Sequence, residues 1–240
     1  MAILAPVLNC SRQNAKAVVC ASNIRQLETA VSVYSSGNDT FPFGFADSNI
    51  EPPGGFLGSF NYNRRGWWWC NYIGQFYYEK TDTRNLLCCP AKNIKVQGLK
   101  TNILCSNYGV NQSIFKSTND FSAREEFTGQ PLKLTGILRP SETLMIADSG
   151  FSLIDWWHVT LDPPNPADLK DSSYVPGMKI NTQRIIYPGQ ENDAIGGRHP
   201  DRTVNAGFAD NHIETTKADK LLVEKKQEQY ENRSPLWISK

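Results

Sequence analysis

The chain has 240 residues, and 25 Lys and Arg stand against 24 Asp and Glu, a formal net charge of +1. That length suits one large domain or two small ones and can build a core without a metal or a disulfide. The even charge balance argues against a nucleic-acid-binding surface, which would show a basic excess or stripe.

The chain opens on an apolar run, Met1 to Leu8, far short of the roughly 20 residues needed to span a bilayer. It has neither a basic n-region nor a small-residue cleavage site, so it is not an intact signal peptide. Residues 3–36 then predict one long helix. Apolar or small residues recur at Ile3, Val7, Cys10, Ala17, Cys20, Ile24, Leu27, Val31 and Tyr34, the recurrence of a single helical face. Arg12, Lys16, Arg25 and Glu28 lie off that stripe. Gly37 is placed to end the helix in a left-handed conformation, with Asn38-Asp39 continuing as a turn. Such a helix would be about 50 Å long and would overhang its own domain. Residues 17–34 are therefore expected to pack on a core. Residues 1–16, with Ile3, Leu4, Val7 and Leu8 as their apolar contacts, are left for a membrane or for neighbouring subunits.

From Thr40 to Gly66, Pro and Gly interrupt the chain too often for regular structure. Trp67-Trp68-Trp69 through Tyr77-Tyr78 predicts a short buried helix. Three consecutive tryptophans cannot all face one way. Trp67, Trp68 and Trp69 thus offer two readings, packing beneath the loop or an exposed surface that stacks on sugar rings.

The second half carries the strand signals. Residues 143–147 and 204–209 are short apolar runs closed by Asp148 and Asp210, and 185–187 and 213–216 are further strands. Residues 204–216 read as a hairpin turning near Asp210-Asn211. Lys217 to Glu231 suits a surface helix, and 162–166 and 172–177 are loops. There is no internal repeat and no βαβ alternation. The order predicts an α+β chain, a single domain over 1–240, in which a long N-terminal helix (1–36) lies on an antiparallel sheet with long loops (37–240).

Six cysteines, Cys10, Cys20, Cys70, Cys88, Cys89 and Cys105, form no C-x2-4-C pair, which argues against a zinc ribbon or finger. A bridge from Cys88 or Cys89 to Cys105 and a set of free buried thiols both suit the pattern. The titratable set is Asp148, His199, Asp210 and His212. If the strands ending in Asp148 and Asp210 are adjacent, the two carboxylates and His199 are candidates to hold a hard cation such as calcium. The competing reading makes each Asp a turn residue. No G-x-S-x-G, H-E-x-x-H or Gly-rich phosphate loop occurs, so no catalytic residue and no organic cofactor are expected. His199 is expected to bond loop backbone rather than to act as a base.

Several segments, in order, resemble type IV pilin-like and type II secretion pseudopilin-like proteins. Ala2 to Leu8 is similar to the last turns of a pilin hydrophobic helix, and Val19 to Leu27, Tyr34, Asn38-Asp39 and Phe41-Pro42 to its exit. Leu87 to Pro90, Asn107 to Asn111 and Leu138 to Asp148 follow in the family's order. Arg198-His199 through Asp210-Asn211-His212 resembles its closing motif, a His, nine residues, then Asp-Gly. Here ten residues separate His199 from Asp210, and Asn211 stands where the family has Gly; Asn is the usual substitute at a left-handed turn position. The family's leader-peptidase site and hydrophobic segment are not in the chain, and the resemblance implies an upstream start in the precursor.

The resemblance implies a pilin-like fold and a non-enzymatic structural role in a type II secretion or type IV pilus-like assembly. Such proteins are inner-membrane anchored as precursors and assemble by packing their N-terminal helices, with heads in the periplasm or outside the cell. The implied partners are other pilin-like subunits and the secretion machinery. Some pseudopilins use calcium to fix their heads. The alternative is an extracytoplasmic glycan- or protein-binding module on the same scaffold, using the aromatic loop 41–78.

Overall fold

The computed structural model describes residues 4–47, 49–52, 66–76, 86–92, 107–118, 125–156, 197–221, 223 and 235–238, with two short strand pairs within 174–179 and 225–230. One helix dominates. Helix α1, Leu4–Asn38, has 35 residues, and Cys20, Ile24, Leu27, Val31 and Tyr34 of its expected stripe are buried, joined by Ala30. Withdrawing side chains such as Ile24 and Leu27 from water contributes about 1.5–3 kcal/mol each. From Pro6 to Val19 no residue is buried, and Val7, Leu8 and Val18 are 57%, 55% and 69% exposed.

The helix does not end as expected. Gly37 and Asn38 both stay helical, and the left-handed residue is Asp39, with φ 61°. Asn38 makes the extension workable, because its Nδ2 donates to the Tyr34 carbonyl at 2.8 Å and so satisfies an acceptor that a helix end otherwise leaves open.

Behind α1 stands a five-stranded sheet. Its members are β3 (Tyr108–Asn111), β4 (Leu144–Asp148), β5 (Leu153–Ile154), β8 (Thr203–Phe208) and β9 (Ile213–Lys217), in the order β5-β3-β4-β8-β9. The sheet is mixed rather than purely antiparallel, because β5 runs parallel to β3 at the edge. Strand β8 alternates between the two faces. Asn205 and Gly207 face α1, whereas Ala206 and Phe208 join Leu144, Ala147, Phe127, Trp156 and Trp237 in a second core. A register shift between Leu144 and Ile146 is the irregularity a bulge introduces. Buried Asn111 ties this core together, its Nδ2 donating to Leu144 O and Trp237 O at 2.8 and 2.9 Å. The β8–β9 hairpin turns as expected, with Asn211 left-handed at φ 69°.

The aromatic segment folds inward. Strand β1 (Phe45–Asp47) pairs antiparallel with β2 (Gly66–Trp68), and the short helix α2 (Trp69–Tyr72) follows at once. Trp68 and Trp69 are 5% and 2% exposed. Trp69 Nε1 donates to Ser152 Oγ at 2.8 Å, and Trp68 packs edge-on against Phe45 and Phe151. Trp67 is half-buried against the same core.

Two expectations in the second half are corrected. Residues 217–231 contain no surface helix among the described residues; a short 3-10 turn, Ala218–Leu221, leads to the antiparallel pair β10 (Lys225–Lys226) and β11 (Gln229–Tyr230). Leu221, Leu222 and Val223 are contiguous rather than spaced by a helical turn, and Val223 is buried in the second core with Trp237. Inside the segment 172–177 read as a loop lies β6 (Tyr174–Val175), which pairs with β7 (Met178–Lys179) just beyond it. The strand expected at 185–187, the loop at 162–166 and Tyr77-Tyr78 lie outside the described residues. Among the described residues no helix is long and apolar enough to cross a membrane.

Candidate functional site

Four segments converge where α1 first becomes buried. Cys20 comes from α1, Cys89 from the stretch 86–92, Asp148 from the end of β4, and Arg198-His199 from the approach to β8. All but Arg198 are buried residues, and the Arg198 side chain itself is only 1% exposed.

Backbone geometry sets each of them. Cys89 is held by its N–H, which donates to Asn107 Oδ1 at 3.2 Å. The turn carrying His199 is tight: Gly197, Asp201 and Arg202 all have positive φ, at 72°, 57° and 57°. His199 N donates to Thr203 O at 3.2 Å, and Thr203 Oγ1 donates to Pro200 O at 2.8 Å. Left-handed backbone at two consecutive non-glycine residues is costly, and it turns Arg198 and His199 inward. Gly109 on β3 completes the frame, because a Cβ there would overlap the Phe151 carbonyl and Ser149 Oγ.

At the centre, Asp148 Oδ1 accepts a short hydrogen bond from the Asn205 N–H. Its Oδ2 lies 3.4 Å from Arg198 Nε and 3.4 Å from His199 Nε2. Arg198 also donates through Nη2 to Ser149 O at 2.6 Å and through Nη1 to Asn107 O at 3.4 Å. Asn205 reaches the helix, its Nδ2 donating to Ala17 O at 3.0 Å, while its Oδ1 accepts from Thr215 Oγ1 at 2.7 Å. The Cys20 and Cys89 sulfurs are 3.6 Å apart. Cys20 Sγ, Cys89 Sγ and a His199 ring nitrogen all lie within 4.8 Å of one another. Among the described residues neither ring nitrogen of His199 has a hydrogen-bond partner.

The electrostatics are those of a dry, crowded centre. Burial pushes the Asp148 carboxyl up to about 6, although Arg198 and His199 both pull it down. Burial pushes the Cys20 thiol up, and Cys89 is pulled down by its hydrogen bond with Cys20 and by Arg198 and His199. Of the two thiols, Cys89 is therefore the one more readily ionised, beside the Arg198 guanidinium. Tyr108, whose Oη accepts from Asn23 Nδ2 at 3.1 Å, is raised well above the usual tyrosine range, again by burial.

This arrangement corrects part of the expected cation site. Asp148 and His199 are together, but Asp210 is elsewhere. Strands β4 and β8 are adjacent yet antiparallel, so Leu144 pairs with Phe208 while Asp148 sits at the opposite end of the ladder. The two carboxylates are separated by on the order of 15 Å of strand. Asp210 closes the hairpin turn, accepting from His212 N at 3.2 Å with His212 Nδ1 at 2.6 Å. His199 also departs from expectation, because its ring bonds no loop backbone among the described residues. With two sulfurs and one imidazole at its centre, the chemistry is soft rather than the all-oxygen shell of calcium.

The remaining candidates fall as follows. Trp68 and Trp69 are buried in the core, against Phe45, Phe151 and Ser152, and Trp67 is half-buried beside them. Val7 and Leu8 are exposed on α1; Leu4 begins the helix, and Ile3 lies outside the described residues. Cys105 also lies outside them, so a bridge to Cys88 or Cys89 is not described. What sequence reading missed is Cys20 with Cys89. They are 69 positions apart, and the only local signal was that Cys20 falls on the buried stripe. Compared with protein-family models, curated proteins and solved structures, the chain matches none.

Proposed function

We propose that the protein is a non-enzymatic, pseudopilin-like structural subunit of a type II secretion or type IV pilus-like assembly in the bacterial envelope. The observation that carries the reading is the division of α1. Its second half, from Cys20 to Tyr34, buries a continuous stripe, whereas Pro6 to Val19 contains no buried residue and exposes Val7, Leu8, Val18 and Val19. A helix of 35 residues is about three times the usual length. Isolated helix is marginal in water and is normally stabilised by packing one face, so the exposed half calls for a partner. Packing against the same half-helix of other subunits, with the head held outside the membrane, meets that demand. The order of sequence segments similar to pseudopilins supports the same role.

The test uses the protein expressed in its own host. Val7→Glu with Leu8→Glu should leave the melting temperature of the head unchanged, because both side chains are already exposed, and should abolish assembly. Oxidative cross-linking through exposed Cys10, which sits on the same stretch, reports subunit contact. Assembly and Cys10 cross-linking at the level of the unaltered protein would refute the role assigned to this half-helix.

A further inference from the structure

We infer that Cys20, Cys89 and His199 form a binding site for a thiophilic divalent cation, zinc, with Asp148 as the positioning residue for His199. The inference stands apart from the assembly role and rests on the geometry beneath α1.

Three elements remote in sequence deliver two sulfurs and an imidazole to one buried point, all within 4.8 Å of one another. Tetrahedral zinc with Zn–S bonds of about 2.3 Å places its sulfurs about 3.8 Å apart, and the observed separation is 3.6 Å. His199 supplies the second, independent observation. Its side chain is 0% exposed, and among the described residues neither ring nitrogen has a hydrogen-bond partner. A buried polar atom without a partner is costly, and a coordinated cation removes that cost. Asp148, 3.4 Å from His199 Nε2, stands where metal centres place the carboxylate that fixes a histidine ligand.

Charge selects the ion. Arg198 and Asp148 already balance each other. Two thiolates then need two positive charges to leave the buried cluster neutral, which zinc supplies and monovalent copper does not. Soft thiolate and imidazole donors discriminate against calcium and magnesium. Binding releases to solvent whatever protons the two thiols carry and joins both sulfurs, as thiolates, to the ion. A disulfide would instead need the sulfurs to close to about 2.05 Å, with an external oxidant, and would leave His199 as unsatisfied as before.

The experiment is a cobalt titration of the full chain, reduced and stripped with chelator, followed by zinc competition. One cobalt per chain is expected, with a thiolate-to-cobalt charge-transfer band in the near ultraviolet that one equivalent of zinc abolishes. Cys20→Ser and Cys89→Ser should each weaken that band and lower affinity at least 100-fold. Cys88→Ser, the adjacent control, should leave both unchanged. Asp148→Asn should keep the band and lower affinity about 10–100-fold, the effect of losing a partner that orients a ligand. Absence of the band in the unaltered reduced protein would overturn the inference, and that reading needs no variant to fold. A band that survives in Cys20→Ser and is lost in Cys88→Ser would overturn it too. So would a Cys20–Cys89 disulfide whose reduction generates no cobalt binding.

Discussion

Replacing Glu28 with Gln should stabilise the protein at neutral pH and remove much of its pH dependence. Glu28, expected to lie off the apolar stripe, instead lies on the buried side of α1, 0% exposed, and neither carboxyl oxygen has a hydrogen-bond partner among the described residues. Burial pushes its carboxyl from an ordinary 4.5 up to about 9, with Asp210 adding to the rise and Arg25 opposing it. The folded protein therefore binds this proton more tightly than the unfolded chain does. The associated stability is fully present below about pH 4.5 and is lost progressively as pH rises toward 9. Each unit of difference is worth 1.36 kcal/mol, so at pH 7 the loss is about 3 kcal/mol. Gln has nearly the same shape and does not titrate. Glu28→Gln should thus raise stability at pH 7 by about 3 kcal/mol, or by roughly 6–12 °C in melting temperature for a chain of this size, and the gain should vanish toward pH 5. Thermal and urea melts of both proteins from pH 5 to 8.5 measure the gap. A gap of constant size, or a Gln variant less stable throughout, would refute the buried neutral acid.

Two further outcomes follow from the same face of the sheet. Gly207→Ala should destabilise by about 1–3 kcal/mol, because its Cβ would overlap Glu28 Oε1 and approach Ile146 Cγ2 at 2.9 Å; combining it with Glu28→Ala should cost less than the sum, with coupling of about 0.5–3 kcal/mol in urea melts. Arg198→Met should cost about 3–5 kcal/mol at pH 8, where the buried Asp148 carboxylate would lose its guanidinium partner, and clearly less at pH 5, where that carboxyl is protonated; equal losses at the two values would show that Arg198 contributes only packing.

The buried stripe of α1 was legible because helical periodicity is local and the core enforces it: Cys20, Ile24, Leu27, Val31 and Tyr34 are all buried. Strands β4, β8 and β9 were legible for the same reason, each being a short apolar or alternating run beside a turn signal. The helix end was misplaced because Asn38 can cap the Tyr34 carbonyl with its own side chain, a tertiary-free option that competes with a glycine stop. The segment 217–231 misled because its charge suggested a solvated helix, while Val223 is drawn into the second core by Trp237. The site was half legible. Asp148 stood out as the acid closing an apolar run and His199 as a titratable residue of the closing motif, yet the partner assigned to them was Asp210, since sequence does not reveal whether neighbouring strands run together or opposed. Cys20 and Cys89 carried no spacing signal, because their meeting depends on how α1 crosses the sheet.

That crossing can be worked out from two hydrogen bonds. At one end Asn205 Nδ2 donates to Ala17 O, and at the other Ser32 Oγ donates to Asn211 Oδ1 at 2.8 Å. The fifteen residues from Ala17 to Ser32 span about 22 Å of helix at 1.5 Å each. From Asn205 the β8 strand runs about 10 Å to Phe208 at 3.3 Å per residue before the turn that carries Asn211. Helix and strand therefore run side by side in the same direction, and Gly207 provides the room that Glu28 needs between the two anchors. Cys20 sits one helical turn inside the first anchor and is the first buried residue of α1 from Pro6 onward. Any load on the exposed half of the helix reaches the body at this point, where apolar packing has only begun and polar contacts from Cys89, Asp148, His199 and Asn205 are concentrated. An ion held by Cys20, Cys89 and His199 would clamp the helix to two further segments at the junction between its free and packed halves.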